Sequence, residues 1–157
     1  MLVVIGCGNL NRSDDAVGAC VVHRLRDHYG AALPQDVRLF DAGTDGMEVM
    51  FQARGARRLI IVDASRSGAP EGSVFEVPGE ELARDHAPAY TLHDFRWDHA
   101  LAAGRRIFRE EFPTDVRVLL IEAQNLGLGF ELSAPVQAAA DSVVAKLVQV
   151  IDAHHAA

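Results

Sequence analysis

The chain alternates between short unbroken apolar runs and longer stretches in which apolar residues return every three or four positions. Leu2-Val3-Val4-Ile5, Val37 to Phe40, Leu59-Ile60-Ile61-Val62 and Val116 to Ile121 are of the first kind. Runs without a polar alternate are those of parallel strands, whose two sets of side chains both face a core. Ser73 to Val77 predicts one more strand. Val17, Cys20, Val21, Leu25 and Tyr29 share one face of a helix over 14–29, with Ser13 as its N-cap and Gly30 closing it. Thr44 or Asp45 caps a short helix that packs through Met47, Met50 and Phe51. After an irregular stretch over 78–88, Thr91, with Asp94 three residues on, predicts the cap of a helix from Leu92 to Arg109. Ser133 opens a last helix packed through Val136, Val143, Val144, Leu147 and Ile151, and residues 150–157 are expected to fray.

Strands and helices that alternate without a linker or repeat predict an α/β fold. We expect one domain over 1–157, a three-layer sandwich in which a mostly parallel twisted sheet of about five strands carries helices on both faces. A length of 157 residues, with 49% hydrophobic, suits a single filled core. A formal charge of −7 argues against a nucleic-acid surface, which needs a clustered basic face. Arg54, Arg57 and Arg58, and Arg105, Arg106 and Arg109, read as exposed helical charge. Cys7 and Cys20 cannot build a disulfide framework and read as small buried residues, which suits a reducing cytoplasm. The opening apolar run is too short for a signal peptide, and no run reaches the length of a membrane span. The expectation is a cytoplasmic protein with no membrane or nucleic-acid partner.

In an open α/β sheet, polar residues at the carboxyl ends of strands converge although they lie far apart in sequence. Asp15 follows the first strand, Asp63 ends the most apolar one, and His93 stands behind a helix cap. Each has a plain alternative: Asp14 and Asp15 support a helix dipole, Asp63 is a turn residue, and His93 faces solvent. Together, two carboxylates and an imidazole make an oxygen- and nitrogen-rich set suited to nickel or zinc rather than calcium. The glycine turn Gly6-Cys7-Gly8 suggests a dinucleotide loop, and Asp41 would fit a ribose. However, the G-x-G-x-x-G fingerprint requires glycine where Asn11 stands, and an acid pair repels a pyrophosphate. No G-x-S-x-G or HExxH motif supports a serine hydrolase or a zincin.

Gly6-x-Gly8-Asn9 followed by Asp14-Asp15 and Gly18 resembles the opening motif of the hydrogenase maturation endopeptidases. Asp41-Ala42-Gly43-Thr44 with Gly46-Met47-Glu48, the strand end Val62-Asp63-Ala64 and the isolated His93 resemble the family's other marks. The resemblance implies a protease that removes a C-terminal peptide from the precursor of a [NiFe]-hydrogenase large subunit. It implies that Asp15, Asp63 and His93 bind metal and act in catalysis, the metal being nickel carried by the precursor, with other divalent ions possible in vitro. The loop of Gly43, Thr44, Asp45 and Gly46 is the weaker candidate for orienting the substrate. Asn11-Arg12-Ser13 before the acids, and Asp94-Phe95-Arg96-Trp97 after the histidine, depart from the usual pattern. A non-catalytic nickel-recognition or chaperone protein on the same fold is the main alternative, and a small nucleotide-binding oxidoreductase the lesser one.

Overall fold

A computed structural model describes residues 1–82 and 96–156. Its five strands are β1 (Leu2–Cys7), β2 (Val37–Gly43), β3 (Arg58–Ser65), β4 (Val74–Pro78) and β5 (Asp115–Glu122). They form one sheet in the order β2-β1-β3-β5-β4, parallel except for β4, which runs antiparallel to β5 at the edge. The helices are α1 (Val17–Tyr29), α2 (Gly46–Ala53), α3 (Gly79–Leu82), α4 (Trp97–Phe108) and α5 (Ala134–Ala156). The α/β class, the mostly parallel sheet and the helices on both faces are as the hydrophobic pattern predicts.

The period-two geometry of a strand divides the core in two. Leu2 and Val4 of β1, Ile60 and Val62 of β3, and Leu119 and Ile121 of β5 pack with α1 and α5 on one face. Val3, Ile5 and Cys7, Leu59 and Ile61, and Val116 and Val118 pack with α2 and α4 on the other. Asp63 continues the series Leu59–Ile61, so its side chain falls on the α4 side. The connection from β2 to β3 passes β1, and the chain therefore changes direction across the sheet between β1 and β3. That reversal leaves a crevice beyond the carboxyl ends of these strands, the usual ligand position in such folds.

Gly18 sets how closely α1 lies on the sheet. A Cβ there would collide with the backbone of Val62 and Cys7, neither of which can swing aside. Gly18→Ala is expected to cost about 3 kcal/mol through overpacking against rigid backbone, read as a lower urea midpoint. An unchanged midpoint would show that α1 can lift without loss.

Five local expectations are corrected. Ser13 does not cap α1: it has φ 49° within a short 3₁₀ turn over Ser13–Ala16, and its hydroxyl donates to the Gly127 carbonyl. Arg96 is extended at φ −95° and ψ 178°, so α4 starts at Trp97 rather than Leu92; Thr91 and His93 lie outside the described residues. Phe51 is 53% exposed rather than packed, and meets Phe108 at a ring-centroid distance of 6.0 Å. The last two turns are helical rather than frayed, because Ile151 is buried, Asp152 accepts from Tyr29 Oη at 2.8 Å, and His154 Nε2 lies 3.0 Å from Asp36. None of Arg54, Arg57 and Arg58 is helical: Arg54 follows the end of α2, Arg57 lies in the bend before β3, and Arg58 stands on β3, paired with Asp115 at 3.0 Å. No helix among the described residues is long and apolar enough to cross a membrane.

Candidate active site

The crevice is a cleft of about 280 Å³ whose lining includes Cys7, Asp15, Asp63, Arg12, Arg96 and Trp97, together with the loop over 43–46. Three strand ends supply it. After β1, Gly8 turns the chain at φ 131° so closely beneath Asp15 that a Cβ would collide with the Asp15 carbonyl. The Gly8 N–H donates to the Gly43 carbonyl at 2.7 Å, which ties the first loop to the one that follows β2. That second loop is held from below: Asp41 accepts from the Gly43 N–H at 2.9 Å and lies 2.8 Å from His23 Nε2. Asp41 is thus already engaged within the protein rather than held open for a ribose. Asp45 caps α2, accepting from the N–H groups of Met47 and Glu48 at 3.0 and 3.3 Å.

The two neighbouring acids of the first loop point in different directions. Asp15 is half-buried on the cleft, and its Oδ2 accepts from the Asn9 N–H at 2.9 Å. Asp14 is fully buried and faces the loop between β5 and α5. It accepts from the N–H groups of Gln124, Asn125 and Ser133 and from the Ser133 hydroxyl, at 2.7 to 2.9 Å. Burial opposes its charge, but these four donors outweigh that and hold its carboxyl below the usual range. Asp14 is a buried structural tie, and Asp15 is the member of the pair presented to the cleft.

Asp63 is 3% exposed. Its Oδ1 accepts from the Ala64 N–H at 2.8 Å and its Oδ2 from Trp97 Nε1 at 2.8 Å, with the Arg96 guanidinium 3.5 Å from the same oxygen. Burial pushes its pKa up to about 6; the Trp97 hydrogen bond and the Arg96 charge pull it down, while the Asp15 charge adds to the rise. Asp63 therefore senses the Asp15 charge in the same cleft. Burial likewise drives the Cys7 thiol up, with Asp63 adding to it, so Cys7 lines the site as a neutral thiol.

Beyond Asp63 the chain enters a loop held by Glu122 at the end of β5. Its buried carboxylate accepts from the Ser67 N–H and hydroxyl at 2.8 Å, the Gly68 N–H at 3.2 Å and the Ser65 hydroxyl at 3.2 Å. The Ser67 backbone bond leads in holding this carboxyl low. In the loop between β5 and α5, Leu128 and Phe130 are 81% and 86% exposed. Their loop is bridged to the Asp15 loop through Arg12 and Gly129 and through the Ser13 N–H, which donates to the Gly129 carbonyl at 2.9 Å.

The structure brings Asp15 and Asp63 together with the Gly43–Gly46 loop, and His93 lies outside the described residues. Among the described residues no three His, Cys, Asp or Glu side chains gather as a metal-holding group. Sequence reasoning missed Trp97 as a partner of Asp63 and Glu122 as the anchor of the following loop. Trp97 carried a signal, being the single tryptophan and lying close behind the candidate histidine. Glu122 carried a weaker one, as a charged residue ending an apolar strand.

The sequence profile of the family described as "HycI: Hydrogenase maturation protease" matches residues 20–150, a span that includes Asp63 and begins after Asp15. The Hydrogenase 2 maturation protease of Escherichia coli (strain K12) is 30% identical over 152 residues, 93% of this chain and 90% of that protein. The hydrogenase expression/formation protein HoxM of Azotobacter vinelandii is 29% identical over 139 residues, 87% of this chain and 65% of that protein. Among solved structures, the hydrogenase maturating endopeptidase HybD from E. coli matches with a TM-score of 0.80 at 24% identity, over 98% of this chain and 93% of that one. The [NiFe] hydrogenase maturation protease HycI from Thermococcus kodakarensis KOD1 matches at 0.76 and 19% identity, over 96% and 92%. The two structural matches speak to the fold, and the profile and the E. coli protease to the family. This chain belongs to the hydrogenase maturation protease family and is a peptide hydrolase.

Proposed function

We propose that the protein cuts a C-terminal peptide from the precursor of a [NiFe]-hydrogenase large subunit and that it meets nickel carried by that precursor through Asp15 and Asp63, with His93 as the third group. The observation that carries this reading is the pair of carboxylates from two separate strand ends, one nine-tenths hidden and both facing one cleft. Asp63 is buried and its one ionic contact among the described residues is the exposed Arg96 guanidinium at 3.5 Å, which makes it a group that gains by meeting a cation. The donor set of carboxylate oxygens, joined by the His93 imidazole, suits nickel in the precursor. With the metal engaged, the scissile amide lies against the Gly43–Gly46 loop. Water adds to its carbonyl carbon, the C–N bond breaks, and the nitrogen leaves with a proton. Either the precursor's nickel or one of the carboxylates polarises that water.

Intact-mass measurement after incubation with nickel-loaded and nickel-free precursor tests the reading. Loss of a C-terminal peptide from the loaded precursor alone is the expected result. Cleavage of both forms equally would remove nickel from recognition. Binding with no change of mass would make the protein a nickel-sensing chaperone, and saturable binding of a nicotinamide dinucleotide would favour an oxidoreductase.

A further inference from the structure

We infer that Trp97 is a positioning residue for peptide cleavage: its indole N–H fixes the Asp63 carboxylate in the orientation that faces the cleft. The inference rests on the reading of Asp63 as a group that meets the precursor's nickel. Trp97 is the first residue of α4 and directly follows the extended Arg96, so the start of the helix is what delivers the ring to Asp63. The ring is 9% exposed and belongs to the core formed with Val49, Ala100, Leu101 and Ile5. It therefore cannot turn aside without opening that core. An indole N–H only donates, and it neither titrates nor changes tautomer in the working range.

The geometry holds the carboxylate from both ends. Trp97 Nε1 lies 2.8 Å from Oδ2, and the Ala64 N–H lies 2.8 Å from Oδ1. Arg96 approaches the same Oδ2 only at 3.5 Å, on a side chain that is 64% exposed. Of the two side-chain donors, Trp97 is thus the short and rigid one. Groups that hydrogen-bond a reacting carboxylate from behind set its angle, and their loss lowers the rate more than the fold.

The chain contains one tryptophan, so replacing all tryptophan with benzothienylalanine during expression puts a sulfur in place of one N–H and leaves the ring shape. Trp97→Phe is the genetic counterpart. Processing of nickel-loaded precursor is expected to fall roughly tenfold to a hundredfold in kcat for both, the scale of one lost charge-assisted bond. KM is expected to stay within about twofold, and the sulfur analogue is expected to keep the wild-type urea midpoint. The single indole N–H resonance of the ¹⁵N-labelled protein is expected to move in Asp63→Asn. Wild-type kcat in the sulfur analogue, with Asp63→Asn inactive, would overturn the role of Trp97 and leave the reading of Asp63 standing. Processing by Asp63→Asn would instead remove that reading. A raised KM with unchanged kcat would make Trp97 a substrate contact, which also overturns the inference. If Trp97→Phe fails to fold, the sulfur analogue decides the matter alone.

Discussion

Asp63→Asn is expected to abolish processing while leaving the protein folded and slightly more stable. The loss of activity should be on the order of a hundredfold to a thousandfold or more, the scale of removing one preorganised charge from a reacting site. The gain in stability follows from the cost of the native carboxylate. Burial raises its pKa from 3.8 to about 6, so at neutral pH the folded state carries a charge it disfavours, a cost of about 3 kcal/mol. An amide removes that charge and can still accept from Trp97. It loses the bond from Ala64, which returns roughly 1 to 2 kcal/mol of the gain. The expected net is an increase of about 1 kcal/mol at pH 7.

The sign with pH separates this from a generic effect of the substitution. A carboxyl whose folded pKa lies above its unfolded one favours the folded state more as pH falls from about 6 toward 3.8. Wild-type stability should therefore gain on that of Asp63→Asn across this window, with urea midpoints at several pH values as the measurement. A variant that loses several kcal/mol at pH 7 would make Asp63 a structural group. A variant that is stable and fully active would remove it from the chemistry. An acid that costs stability where it stands is most simply explained by a task in the cleft.

Much of this arrangement is legible in the sequence because parallel strands write themselves as unbroken apolar runs. Leu59 to Val62 marks β3, and the two-residue period then carries Asp63 to the face opposite Ile60 and Val62. The same reasoning places Asp15 after the glycine turn. What the sequence hides is whatever depends on contacts between distant segments. The partner of Asp63 is one such feature: α4 starts at Trp97 after an extended Arg96, and the ring meets a buried carboxylate more than thirty residues away in sequence. Ser13 has the composition of a cap, but its hydroxyl is taken by Gly127, more than a hundred residues away. The tail over 150–157 reads as frayed until Tyr29 and Asp36 are seen to hold it. The pattern of strands was also silent on their order, since β4 reverses direction and slips to the edge beyond β5.

Asp14→Asn is expected to destabilise the protein by about 4 kcal/mol while sparing the chemistry of the neighbouring acid. All the donors around Asp14 are N–H or O–H groups aimed at carboxylate oxygens: three at Oδ2 and one at Oδ1. An amide must place its NH₂ against one of these sets. Whichever way it turns, at least one buried backbone donor meets another donor and loses its partner. The consequence reaches the cleft indirectly, because these bonds seat the Asp15 loop against the segment entering α5. The pH dependence runs opposite to that of Asp63. The Asp14 carboxyl is held below 3.8, so its contribution is present above that pH and is lost as pH falls through the lower folded value. Wild type and Asp14→Asn should therefore converge in stability only in strong acid. At a temperature where the variant is folded, its processing rate per folded molecule should stay within about tenfold of wild type, against the far larger loss for Asp63→Asn. A stable but inactive Asp14→Asn would reverse the assignment of the two acids, making Asp14 the group that works in the cleft and Asp15 the one that holds the loop.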